Sequence, residues 1–326
     1  MTLQSAHKKR AEHPHWGALC LVFMLVFSLA LMLRRADVAA NCMRAGLSLC
    51  ARAIVPSLFP FMVLSELLVT SGAGEWLTAP FARPLGKLLG LSRAGCCAVI
   101  LGLVCGFPVG ARCAILAYEK GTMERNECER TLACSSIPSS AFLISTIGTT
   151  LWKDAKFGTL LYAIAVFSAL LSGIFLYVLQ KKSQKATSQN ATPALAKIHF
   201  EVKMFPSAVR NATINTLLIC AYVVFFSTLT GAVELILGRF GANEIIHATL
   251  SALLELSGGV SAIAELGNRQ LAIILTGAAV GWSGLSIHCQ MLSLCDGHTL
   301  STRPYFLAKF TQAVLCSLMM AVLLRT

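Results

Sequence analysis

From Gly102 to Arg112 the chain reads GLVCGFPVGAR, an apolar helical pattern that stops at Gly106-Phe107-Pro108 and resumes carrying a cation. Pro108 lacks an N–H and disfavours helix at Phe107. A second helix therefore starts there with unpaired N–H groups and the positive end of its dipole presented. In a bilayer such irregular backbone survives only where protein or a water-filled cavity satisfies it. The break therefore predicts an interior site, and Arg112, one turn further on, predicts that the site holds an anion.

That argument requires the chain to lie in lipid, and the composition places it there. Of 326 residues, 56% are hydrophobic and 13% charged, with a mean hydropathy of +0.70, whereas soluble domains carry about 25% charged residues. The expected fold is all-α, a polytopic membrane protein surrounded by lipid. The net charge of +12 collects in short polar segments between apolar runs, the positive-inside pattern rather than a nucleic-acid footprint. No helix-turn-helix, zinc finger or RNA-binding module is present, so no nucleic-acid partner is expected. Thirteen cysteines are scattered through apolar stretches without a CxxC pair. They read as reduced, small buried residues rather than metal ligands. Without a P-loop, nucleophile elbow or HExxH motif, neither enzymatic activity nor a cofactor is expected.

In chain order, a basic tail containing His7, His13 and His15 precedes an apolar run, Trp16 to Leu33, closed by Arg34-Arg35. The run exceeds the roughly 7–15 residues of a signal-peptide core, so it reads as an uncleaved first span. Residues 41–53 have the pattern of an interfacial helix, which completes an N-terminal unit of residues 1–55. Next comes SLFPFMVLSELL, where Pro60 distorts the helix and Glu66 sits on an apolar face. An ionised acid at a membrane-helix centre costs roughly 2.5–3.5 kcal/mol, so Glu66 is expected to have a partner; the plainer reading has it reaching the headgroups. Gly72 to Arg93 reads as an interfacial connection, and GTMERNECERTLACSS as a helix too polar to span. Ser135 to Phe142, SSIPSSAF, is a hydroxyl-rich helix start whose Ser136 and Ser139 either line a site or simply cap a helix. A span over Phe157–Leu179 ends the first unit, 56–180. A basic linker, 181–204, separates it from a second unit, 205–326, where Glu255 interrupts an apolar run in the stretch LLELSGG. Counting apolar runs gives about eight crossings with both termini inside. This leaves Arg34, Arg35 and Arg44 outside, against the positive-inside rule, unless some segments are re-entrant.

The two units echo one another. Glu66 precedes Ser71-Gly72, and Glu255 precedes Ser257-Gly258. Gly102 and Gly106 precede Phe107 as Gly277 and Gly281 precede Trp282. Small residues follow each aromatic, Gly110 in one case and Ser283 and Ser286 in the other, and then comes Arg112 or His288. Two repeated halves with interrupted helices predict a midplane binding site. Close GxxxG packing is the plain alternative for the glycines, and core hydrogen bonding is the plain alternative for His288. On the site reading, Arg112 and the half-helix starts at Pro108 and Ser283 bind carboxylate oxygens. Glu66 and Glu255 balance charge or carry a coupling proton or sodium ion, and His288 adds a donor.

The runs SLFPFMVLSELL (57–68), GFPVGAR (106–112), SSIPSSAF (135–142) and GWSGLSIHCQ (281–290) resemble the YlbJ or SpoVV family of sporulation integral membrane proteins. The likeness covers most of the chain from Pro56 onward, with departures at Phe107 and at Trp282-Ser283. It implies a nucleoside-recognition Gate domain related to concentrative nucleoside transporters, with inverted repeats. It also implies transport of dipicolinate, a small aromatic dianion, across the outer forespore membrane. A nucleoside transporter on the same scaffold and a non-transporting spore-envelope assembly protein are the competing expectations. An oligomer is compatible with each.

Overall fold

The computed structural model describes residues 26, 29–30, 32–183, 198–241 and 243–325. Most of the expected first span, the tail histidines and linker residues 184–197 lie outside the described residues. The ordered elements are helices: α1 (Ala36–Leu49), α2 (Val55–Thr70), α3 (Ala73–Leu89), α4 (Arg93–Cys105), α5 (Phe107–Glu119), α6 (Arg125–Ser135), α7 (Ala155–Ser183), α8 (Met204–Arg239), α9 (Glu244–Leu254), α10 (Leu256–Ala264), α11 (Arg269–Trp282), α12 (Leu285–Cys295) and α13 (Arg303–Leu323). A π-helical turn, Cys50–Ile54, joins α1 to α2, and a π-helical segment, Phe142–Leu151, precedes α7.

Helix α13 shows what surrounds this fold. Tyr305, Lys309, Gln312 and Cys316 recur at helical spacing and are buried, while Phe310 and Val322 on the other side are 64% and 61% exposed. A helix that buries lysine and glutamine and exposes phenylalanine is inside-out for water. It suits hydrocarbon, where polar groups must be satisfied internally and apolar ones need no cover. Its 21 residues span about 31 Å, matching a hydrocarbon core of about 30 Å.

Among the described residues, four helices are long and apolar enough to cross a membrane: Ala155–Lys181, Met204–Arg239, Arg269–Cys295 and Arg303–Leu323. The pair α3–α4, bent by 101°, would add a fifth. The described residues, which leave out most of the first expected span, thus supply four or five of the eight expected crossings. Leu58–Thr70, Phe142–Leu151 and Glu244–Leu254 are apolar but short, and a hydropathy count runs straight across the breaks that end them. Two further expectations change. Residues 41–53 are not a separate interfacial helix, because α1 continues through the π turn into α2. Gly72–Arg93, expected as an interfacial connection, is helical over Ala73–Leu89 as α3, with Pro80 and Pro84 four residues apart on one face so that both missing N–H groups fall together. Helix α6 is polar and yet buried from Cys128 to Ser135. Protein rather than lipid encloses it: Glu129 accepts from Arg125 Nε (3.0 Å) and the Ser301 amide (2.7 Å), and Arg130 donates to the Gly90 carbonyl (2.8 Å) and to Gln180.

Candidate functional site

The break expected at Gly106 is present. Gly106 has φ 99° and ψ 171°, a conformation that side chains exclude, and α5 begins at Phe107 with Pro108 in its first turn. Gly102 and Gly110 flank the joint and press on each other and on Ser135. A Cβ at Gly110 would lie 2.6 Å from Gly102 Cα and 2.8 Å from Ser135 Cβ. Gly110 is thus a packing glycine, whereas Gly106 is the conformational one. Across the joint, a Cβ at Gly106 would touch Ser139 at 3.0 Å. Ser139 Oγ accepts from the Phe142 amide (3.2 Å), so it caps the π-helical segment, and Ser136 Oγ donates to the Leu132 carbonyl (2.5 Å).

A second joint separates α11 from α12. Ser283 and Gly284 both have positive φ, 76° and 83°, and the Ser283 hydroxyl donates to the Val280 carbonyl (3.1 Å). This joint rests on a third, between α9 and α10: a Cβ at Gly284 would sit 3.0 Å from the Leu256 nitrogen. Glu255 occupies that third joint and caps α10, accepting from the amides of Ser257 (2.9 Å) and Gly258 (2.7 Å). Glu66, by contrast, lies inside α2, so the sequence echo between the two glutamates is not matched by equivalent places in the fold. Gly281 packs against the α13 backbone, where an added Cβ would lie 2.5 Å from both Ala313 Cα and the Gln312 carbonyl oxygen. His288 turns toward α13: its Nδ1 meets the Tyr305 hydroxyl at 2.9 Å and its ring meets Trp282 edge-on at 4.3 Å. Glu255, Gly281, Ser283 and His288 thus belong to the packing of the second and third joints.

Around Arg112 a different picture emerges. Its Nε stands 3.5 Å from Glu66 Oε2 and its Nη1 3.9 Å from Glu119 Oε1, and Nε is buried without a hydrogen bond among the described residues. Charge-assisted N–H···O bonds run about 2.7–2.9 Å, so the guanidinium is attracted to both carboxylates but gripped by neither. Glu66 is held instead by Asn211 Nδ2 at 2.9 Å, and Glu119 by His298 at 3.1 Å. The sequence predicts a cargo carboxylate at Arg112 and a partner for Glu66; the structure sets these two residues 3.5 Å apart, so that Arg112 is the cation beside Glu66.

One helical turn below this cluster lies a hollow. Pro108, Met62 and Asn215 stand four residues from Arg112, Glu66 and Asn211 on α5, α2 and α8, and together with Phe107, Tyr222 and Gln290 they line a cavity of about 20 Å³, room for about one water. The Gln290 Nε2 donates to Ser286 Oγ (3.2 Å) while its Oε1 is buried and unpaired among the described residues. The cavity thus separates the start of α5 from α12, the helices that follow the two interrupted motifs. A larger hollow of about 160 Å³ lies away from the joints, where the end of α2 meets α3, α5 and His199.

Asn215 lies in no motif, and neither Asn211 nor Gln290, the last residue of the 281–290 run, is singled out as a site residue by the sequence. Their signal is polar residues three or four apart within an apolar helix. Lys309 and Gln312 show the same signal. Lys309 is wholly buried, and its Nζ donates to the Ser136 carbonyl (2.8 Å) and Gln312 Oε1 (3.0 Å). The Gln312 Nε2 donates in turn to the Ala133 carbonyl (3.1 Å) and Ser172 Oγ (3.0 Å).

No family model matches the chain, and no solved structure matches it. The chain is homologous to the sporulation integral membrane protein YlbJ of Bacillus subtilis (strain 168), with 23% identity over 341 residues, covering 94% of this chain and 83% of that protein.

Proposed function

From that homology and the geometry at the first joint, we propose that this integral membrane protein is a secondary transporter acting in sporulation. Its cargo is a small organic anion, dipicolinate, carried across the outer forespore membrane. The observation that supports the reading is the loosely held guanidinium of Arg112, standing one turn above a hollow at the positive end of α5. Five N–H donors in a planar fork match a carboxylate, and the unpaired N–H groups and dipole of a helix start favour the same charge. Glu66 and Glu119 occupy the place of the cargo's carboxylate and yield it when an anion arrives. Glu66, still bonded to Asn211, then holds the coupling proton or sodium ion. A ring acid exceeds the hollow as it stands, so binding widens it, and the joints at Gly106 and Ser283-Gly284 are where α5 and α12 can swing in an alternating-access cycle. The protein performs no covalent chemistry and uses no cofactor beyond the coupling ion.

One observation favours a nucleoside as cargo: Asn215, Tyr222 and Gln290 bring neutral polar groups to the hollow. Uptake of radiolabelled dipicolinate and of radiolabelled uridine into proteoliposomes separates the readings. The variants are wild type and the charge-neutral double substitution Glu66→Gln/Arg112→Gln, chosen because it removes both ions together. An anion transporter takes up dipicolinate as wild type and loses it in the double variant. A nucleoside carrier takes up uridine in both. An assembly protein takes up neither.

A further inference from the structure

Lys309 is a fully buried amine with no carboxylate bonded to it among the described residues. Among the described residues the buried carboxylates are engaged elsewhere, Glu66 with Arg112, Glu129 with Arg125 and Glu255 with two amides. The two acceptors at Lys309 Nζ, the Ser136 carbonyl and Gln312 Oε1, are both neutral. Burying an unpaired ammonium costs several kcal/mol, only part of which the carbonyl end of α6 returns. An ionisable side chain placed so inside a membrane protein points to function.

Its position says which function. Ser136 adjoins Ser135, whose Cβ lies against Gly102 and Gly110 at the first joint and whose hydroxyl is buried without a partner among the described residues. Gly110 faces Ser135, and Arg112, two residues on and so about 200° around the helix, faces Glu66. Arg112 therefore lies on the face of α5 turned away from Ser135 and is balanced by carboxylates, while Lys309 stands behind the Ser135–Ser136 end of α6 with only neutral acceptors. We infer that Lys309 is a specificity-determining residue of the transport site. Its uncompensated charge raises the potential around the joint, admitting an anion and disfavouring a neutral solute of the same shape, without touching either. This rests on the transporter reading and deepens it by fixing the sign of the cargo.

The test is the ratio of affinities of the purified full chain in nanodiscs for pyridine-2,6-dicarboxylate and its neutral diamide. Lys309→Gln removes the charge, Lys309→Arg keeps it, and Gln312→Glu cancels it by supplying a carboxylate while leaving the amine in place. At an effective dielectric of about 20, a unit charge within about 12 Å of a bound monoanion changes its affinity at least about tenfold. Lys309→Gln and Gln312→Glu are therefore expected to narrow the diacid preference by at least that factor with the diamide unaffected, and Lys309→Arg to retain it. An unchanged ratio in a folded Lys309→Gln or in Gln312→Glu overturns the inference, as does an equal weakening of both ligands, which marks a structural role. A wild type that binds neither ligand removes the transporter reading instead.

Discussion

The Glu66–Arg112 pair allows a prediction that depends on geometry alone. At 3.5 Å and an effective dielectric of about 20, the gross attraction is about 5 kcal/mol. The two ends are unequally sheltered, with side-chain exposures of 5% for Glu66 and 22% for Arg112. Arg112→Gln strands a buried carboxylate with Asn211 as its remaining partner, a loss of about 3 kcal/mol, the lower end for breaking a buried pair. Glu66→Gln strands a cation that still has Glu119 at 3.9 Å and some access to solvent, so about 1 kcal/mol is expected. The double variant leaves two neutral amides and should also cost about 1 kcal/mol, giving a coupling of about 3 kcal/mol in the double-mutant cycle. Thermal unfolding of the purified protein in detergent reads this: at about 2 °C per kcal/mol for a large chain, Arg112→Gln lowers Tm by about 6 °C and adding Glu66→Gln recovers most of it. Two single losses that simply add, or a Glu66→Gln loss larger than that of Arg112→Gln, would refute the pairing.

Other outcomes follow from packing and protonation. Gly110→Val drives a branched side chain into Gly102 and Ser135 and should cost about 3 kcal/mol. Gly238→Ala, in α8 with nothing within 4 Å of its Cβ position, should gain roughly 0.5 kcal/mol; equal effects in unfolding scans would show that the first joint is not close-packed. Burial pushes the Glu127 carboxyl above its ordinary value of 4.5, and the Ser92 amide opposes that. A folded acid with a raised pKa holds its proton more tightly than the unfolded chain does, so its contribution falls as pH rises from about 4.5 upward. Glu127→Gln should therefore flatten the stability–pH profile over that window while keeping an oxygen for Ser92; a profile identical to wild type would contradict it.

The sequence by itself determined the solvent of this fold and the helix break at Gly106. Too few charges for water put it in lipid, Gly106-Phe107-Pro108 cannot continue a helix, and α6 is too polar to face hydrocarbon; these are local properties of a few residues. It also determined the chemistry of Arg112 and Glu66, because an ion in hydrocarbon must have a partner. Which partner was decided by the tertiary structure, since that depends on which face of α5 meets α2 and which meets α6. The same holds for Glu255, a helix cap because α10 happens to begin beside it, and for His288, turned toward Tyr305 rather than into the hollow. Lys309 is the clearest case. Near the start of an apolar run a lysine reads as one that reaches the headgroups, and only the docking of α13 onto the end of α6 leaves its ammonium sealed inside.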